Sequence, residues 1–255
     1  MRYMRVNKLV IVALIVLTSC ATLREAFVPA DFVRSQFFNG SFCSANDDIM
    51  VKVGNLCVDR YEASLWSSRS GGEELRSLNA QLPCSLNGSD CFDKIFARSV
   101  PGVMPASSLT WFQAMMACAS SGKRLLTSAE WQQAAMGTQD DLGQCNTNGA
   151  SARNTGGGLC VSAAGVEDMV GNVEEWVADW IQANSRNDGG DTAPNEYGSD
   201  MILGIDEAAP ESFRFPAALI RGGSWRDGTG AGVYALDARN SPARTRAWIG
   251  FRCTK

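Results

Sequence analysis

Gly122-Lys-Arg-Leu-Leu-Thr-Ser-Ala-Glu-Trp131 links two segments whose ends are written in their capping residues. Upstream, Thr110 followed by Gln113 makes a capping-box pattern. Trp111, Ala114, Met115, Cys118 and Ala119 then recur on one helical face, and Gly122 supplies the stop. Within the stretch, Thr127 followed by Glu130 repeats the cap, so a second short helix is expected over Ser128 to Met136, ending at Gly137. Working outward, Val51 to Tyr61 reads as a strand, with β-branched Val51, Val53 and Val58 and a bend at Gly54-Asn55. Residues 67 to 93 are rich in Ser, Gly, Asn and Asp and read as an irregular excursion. Beyond Gly137 the chain is rich in Gly and Asn, and the eleven glycines and alanines between Gly222 and Gly250 argue against a long C-terminal helix. The expected class is α+β, loop-rich and held by disulfides.

At the start of the chain, Arg2, Arg5 and Lys8 precede an apolar run from Leu9 to Leu17, and Leu17-Thr-Ser-Cys20 closes it. A basic start, a short apolar core and small residues before a cysteine are the parts of a lipoprotein export signal, and the run is too short to span a bilayer. Residues 1–19 are therefore expected to be cleaved and Cys20 to be lipidated. Two or three acyl chains anchor stably, each buried methylene contributing about 0.8 kcal/mol. Residues 20–45 would form the lipidated cysteine and its tether, and 46–255 the folded domain. The expected location is the cell envelope. Ala21 after the cysteine favours the outer membrane, on its periplasmic face or at the cell surface.

The signal holds three of the 23 basic residues and no acid, so the mature part carries 27 acidic residues against the remaining 20 basic ones, about −7 in net charge. A general nucleic-acid binder is expected to be basic, and that class is set aside. Setting Cys20 aside leaves eight cysteines, Cys43, Cys57, Cys84, Cys91, Cys118, Cys145, Cys160 and Cys253. Local spacing suggests Cys43 with Cys57, Cys84 with Cys91 and Cys145 with Cys160, leaving Cys118 and Cys253 to close a long loop. The chain contains no histidine. Ser-His-Asp and Cys-His nucleophile systems and the two-histidine-one-carboxylate iron site are thereby excluded.

Three segments in order, Gly122 to Trp131, Asp168-Met-Val-Gly-Asn-Val-Glu-Glu-Trp176, and Arg221-Gly-Gly-Ser-Trp225 with Ile249-Gly-Phe-Arg-Cys253, resemble the formylglycine-generating enzyme, or sulfatase-modifying factor, family. The resemblance covers about residues 48 to 255 and implies a variant of the C-type lectin fold. It also implies a disulfide between Cys118 and Cys253. The family oxidases bind copper through two cysteines shortly after Arg-Gly-Gly-Ser. Here that stretch is Trp225-Arg-Asp-Gly-Thr-Gly-Ala-Gly-Val-Tyr234, with neither cysteine. Cu(I) requires soft thiolates, so no copper and no sulfatase activation are expected. The related iron-dependent sulfoxide synthases need histidines and are rejected on the same ground.

The resemblance further implies a structural calcium ion in the second motif, with side-chain oxygens from Asp168 and Glu175 and carbonyls from Gly171 and Val173. The family commonly has Trp where this chain has Glu174. Glu175 and Asp179 could also be read as a carboxylate pair of the glycosidase type. From Glu167 to Glu211 acids dominate, and Asn187-Asp-Gly-Gly-Asp191 lacks EF-hand spacing and reads as a solvated acidic loop. The C-terminal stretch is locally basic. Arg239 and Arg252 match structural positions of the family, whereas Arg226, Arg244 and Arg246 are freer to meet an anion, the plainer alternative being a solvated basic surface. With Trp225, Asp227, Tyr234 and Trp248 they outline a cleft. The function read from this is a lipid-anchored, non-catalytic module binding a peptide, glycan or protein partner. The alternatives are an enzyme with a non-standard site built on Asp227, Tyr234 and an arginine, a retroelement-diversified surface receptor, and an envelope spacer.

Overall fold

The structure is a computed structural model that describes residues 43, 47–75, 82–139, 143–181, 202–203 and 216–255. The export signal, Cys20, most of the tether and the acidic segment 187–191 lie outside the described residues. Cys43 lies inside the range assigned to the tether, yet its sulfur is bonded to Cys57 and its N–H donates to the Met50 carbonyl at 3.1 Å. The folded part therefore reaches back beyond residue 46.

The segment read as one bent strand is a hairpin of β1 (Met50–Val53) and β2 (Leu56–Asp59), in register Met50 with Asp59 and Val53 with Leu56. Gly54 takes φ +58°, and at that left-handed angle the chain reverses rather than bends. The chain continues through β3 (Ser64–Ser68), β4 (Gly71–Glu74) and β5 (Phe96–Arg98), which form a three-stranded sheet in the order β4-β3-β5.

Both helices start where their caps place them. Helix α1 is Trp111–Ser120, with Thr110 and Gln113 in a reciprocal capping box; α2 is Ser128–Ala135, with Thr127 and Glu130 doing the same. Between them lies β6 (Arg124–Leu125). The Trp111 indole N–H donates to the Val177 carbonyl at 2.7 Å and moors α1 to the central sheet.

That sheet runs β11-β7-β9-β10-β8, from β7 (Glu174–Ile181), β8 (Ile202–Leu203), β9 (Ala217–Arg221), β10 (Leu236–Asn240) and β11 (Ile249–Phe251). Strand β11 is parallel to β7, pairing Ile249 with Glu174 and Phe251 with Trp176. The last strand, β12 (Cys253–Thr254), lies between β2 and β6 in the third sheet, β1-β2-β12-β6. The C-terminus is thus sewn beside the N-terminal hairpin. One buried cluster gathers Leu65, Ile95, Leu109, Trp176, Ile220 and Phe251 around Cys118 and Cys253. A second gathers Val51, Val53, Leu126, Trp131, Val166, Met169 and Val177. No described helix is long and apolar enough to cross a membrane.

All four disulfides follow the sequence reading: Cys43–Cys57, Cys84–Cys91, Cys145–Cys160 and Cys118–Cys253. The last spans a sequence separation of 135 residues, and a loop of that order stabilises by roughly 4 to 5 kcal/mol if the effect is unfolded-chain entropy. Replacing Cys118 and Cys253 together by Ser is expected to lower unfolding stability by about that amount, read from the denaturant midpoint. Replacing Cys84 and Cys91, which enclose only 7 residues of separation, costs less.

Candidate functional site

The second motif is a left-handed turn leading into β7. Asp168, Gly171 and Asn172 have φ of +55°, +78° and +56°. A Cβ on Gly171 would stand 2.5 Å from the Asn146 carbonyl oxygen, so only glycine fits there. The carboxylate of Glu175, 1 % exposed, is the partner of Arg252: Nε lies 2.8 Å from it, and the Trp131 indole N–H donates to the same carboxylate at 2.8 Å. Arg252 spends its other donors on the carbonyls of Asp59, Arg60 and Glu167, at 3.1, 3.2 and 2.8 Å. Asp168 faces Arg153 at 3.4 Å.

This arrangement does not fit the calcium ligand set drawn from Asp168, Gly171, Val173 and Glu175. Both side-chain ligands already face a guanidinium, which would repel a divalent cation held on the same oxygens. Nearby Glu62, fully buried, accepts from the Val173 N–H at 2.9 Å. Burial first, then the charges of Asp168 and Glu175, push its carboxyl well above the usual range. Nor do Glu175 and Asp179 form a hydrolytic pair. Asp179 accepts the Ser128 N–H at the start of α2, so each carboxylate has a separate structural duty.

The open site lies on the other side of β7. A cavity of about 170 Å³ is lined by Glu174, Arg226, Asp227, Asp237, Arg239, Asn240, Arg244, Arg246, Trp248 and Ile249. Five residues expected from the sequence therefore converge: Arg226, Asp227, Arg244, Arg246 and Trp248. Two do not line it. The Trp225 N–H donates to the Asn172 carbonyl at 3.0 Å and its carbonyl accepts from Gly149 at 2.7 Å, so it sets the path of the loop. Tyr234, 39 % exposed, lies outside the lining as well. Arg239 was assigned to the scaffold, but it stands on the cleft wall and grips Asp237 through Nε and Nη2, each at 3.0 Å. Arg252 is structural, as expected.

Asp227 is held by the N–H and hydroxyl of Ser224, at 2.8 and 2.6 Å. Arg226 lies 4.1 Å over the Trp248 ring, and Arg246 is 5.8 Å from its centroid. Glu174 was not read as part of the cleft. Its backbone N–H donates to the Trp248 carbonyl at 2.8 Å and fixes it to the loop before β11. Its carboxyl is 5 % exposed and makes no side-chain hydrogen bond among the described residues. Burial, then Asp227 and Asp237, against Arg226 and Arg239, push it up to about 8. The one sequence signal for this residue was an acid where the resembling family places Trp.

Residues 89–255 match the sulfatase-modifying factor enzyme 1-like domain. The chain belongs to that family. It is 30 % identical over 164 residues to "Serine/threonine-protein kinase pkn1" of Chlamydia pneumoniae, and 30 % identical over 160 residues to that of Chlamydia trachomatis serovar L2; each alignment covers 59 % of this chain and 24 % of the relative. The chain thus spans about a quarter of the length of these relatives. Among solved structures, the Major Tropism Determinant P3c variant superposes with a TM-score of 0.51 at 20 % identity, covering 84 % of this chain and 54 % of that one. The I1 variant gives 0.51 at 21 %, with the same coverage. These likenesses establish the C-type lectin-like fold.

In this sulfatase-modifying-factor domain, the stretch where the resemblance would set two copper-binding cysteines forms a 3-10 turn, Gly228–Gly230, behind Asp227. All eight cysteines of the described residues are in disulfides. The raised Glu174 carboxyl has a measurable consequence. It takes up a proton on folding between its ordinary value of 4.5 and about 8, so its contribution falls as pH rises through that window. Glu174→Gln cannot ionise, and is expected to be more stable than the parent at about pH 9 by up to about 5 kcal/mol, with a difference of no more than about 1 kcal/mol near pH 5. Thermal melts of both proteins at the two pH values check it.

Proposed function

We propose that this chain is a lipid-anchored, extracytoplasmic binding module without catalytic activity, which holds a peptide, glycan or protein partner in the cleft between β7, β10 and the loop before β11. The observation that carries the reading is the convergence of Arg226, Asp227, Arg244, Arg246 and Trp248 on one cavity, in a domain whose described cysteines are all disulfide-bonded. A thiolate copper site needs free sulfur, and disulfides leave none. Four disulfides also favour an oxidising compartment, in agreement with the export signal. An alternative active site of Asp227, Tyr234 and an arginine loses support, because Tyr234 does not line the cavity that Asp227 enters.

Arrays of peptides and glycans probed with the full chain in detergent test the reading. Arg226→Glu with Arg246→Glu is expected to abolish the binding that Lys52→Glu, on the exposed side of β1, retains. Binding retained by the double arginine variant would place recognition outside the cleft. Tight stoichiometric copper, measured by mass spectrometry after desalting, would overturn the non-catalytic assignment. The anchor is checked separately: Cys20→Ser is expected to move the protein from the membrane fraction to the soluble one.

A further inference from the structure

The floor and the rim of the cleft differ in how their charges are satisfied. Of its three carboxylates, Asp237 is gripped by Arg239 and Asp227 by Ser224. On the basic side, Arg226, Arg244 and Arg246 have no ion pair within salt-bridge distance among the described residues. Arg226 and Arg246 lie over Trp248. A guanidinium stacked on a ring uses its face and leaves in-plane N–H donors for an anion; Arg246 spends one of its own on the Thr245 carbonyl at 3.1 Å and keeps the others. Beneath them Glu174, nine-tenths buried, opens into the cavity with no hydrogen bond to its carboxyl. Its carboxyl faces a cavity that water can enter, so an occupant that displaces that water must supply a donor in its place or leave the group unsatisfied at a cost. A carboxyl oxygen accepts such a bond whether the group is ionised or neutral.

We propose that the cleft recognises an acidic side chain on an extended peptide segment, its carboxylate seated among Arg226, Arg244 and Arg246 and an adjacent backbone N–H donated to Glu174. The inference rests on the binding-cleft reading and names the occupant. Planar guanidinium forks match a carboxylate in two parallel hydrogen bonds, and the neighbouring N–H is a donor every peptide carries beside that group. A sugar acid offers the same carboxylate, but sugar rings gain much of their affinity by stacking on open aromatic faces, and the Trp248 ring is already overlain by two arginines. A phosphate dianion would bring more negative charge toward Glu174, Asp227 and Asp237, which share the cavity.

The test uses the full chain in detergent and a terminally blocked, fluorescein-labelled peptide of alternating Gly and Glu, with its Gln counterpart as control. The Glu peptide is expected to bind at least about tenfold more tightly, and Arg244→Gln and Arg246→Gln each to weaken it by about tenfold. Glu174→Gln keeps an acceptor oxygen and is expected to retain affinity to within about threefold, whereas Glu174→Leu removes the acceptor and loses about tenfold. Thermal melts establish that each variant is folded. Equal binding of the two peptides, no binding of the Glu peptide at roughly millimolar concentration, or unchanged affinity in the arginine variants overturns the proposal. Stronger competition by trigalacturonate or inorganic phosphate, lost in the arginine variants, overturns the peptide assignment and leaves the binding-cleft reading standing. Binding that every cleft variant keeps removes both.

Discussion

The buried pair of Arg252 and Glu175 is the constraint on which the rest of the molecule depends. Each is 1 % exposed, and a guanidinium so far from water is tolerable only with its donors occupied. They are occupied by groups from separate parts of the chain: the Glu175 carboxylate on β7, the Asp59 and Arg60 carbonyls after the hairpin, and the Glu167 carbonyl before the motif turn. The Trp131 indole holds the same carboxylate from α2. Replaced by well-packed apolar groups, such a pair could be energetically neutral. Broken on one side, it costs about 3 to 5 kcal/mol. It thus fixes where β11 and β12 lie more than it adds stability. A second buried pair works beside it: Lys123 reaches Asp59 at 2.8 Å and Asp48 at 2.7 Å, while Asp59 also accepts the Cys253 N–H at 3.0 Å.

Register carries this constraint to the cleft. Successive residues of a strand face opposite sides of the sheet. Glu174 and Glu175 are neighbours, so when Glu175 turns inward to Arg252, Glu174 must turn outward to the arginine loop. Parallel pairing of β7 with β11 places Ile249 opposite Glu174, and the Trp248 carbonyl accepts the Glu174 N–H. One strand position therefore supplies a core ion pair and its neighbour lines the cavity in which binding is proposed. A slip by one residue would bury the wrong carboxylate.

What was legible in the sequence was what local chemistry decides. Thr110 with Gln113 and Thr127 with Glu130 placed both helix starts, because a capping box is complete within four residues. Cysteine spacing gave the three short disulfides, and the resemblance gave the long one. The hairpin was half legible: Gly54-Asn55 marked the bend, but that the chain reverses there shows only in the left-handed φ of Gly54 and the pairing of β1 with β2. Glu175 was read as a calcium ligand, and its pairing with Arg252 was not foreseen because the two lie 77 residues apart. Nothing near it in sequence announces Arg252, and only the folded chain brings the two within 2.8 Å. The cleft was read from its basic residues, so Glu174 and Asp237, its acidic floor and wall, were missed. Arg239 was sorted by family position rather than by what it touches.

Steric rigidity is what would let the arginine-bearing loop serve the recognition role proposed for it. A Cβ on Gly223 would stand 2.5 Å from the Ala231 Cα, and one on Gly250 2.5 Å from the Ala106 carbonyl oxygen. Backbone approaches this close leave little room for the frame to shift. Just beyond Gly250, Cys253 is cross-linked to α1. Between these fixed points the side chains of Arg226 and Arg244 stand exposed, so their identities can change without disturbing the core. Binding to a preorganised frame avoids much of the ordering cost that a flexible loop would pay. In such a domain, disulfides and glycines hold the geometry, and the exposed arginines are presented on a frame that would suit the proposed recognition role.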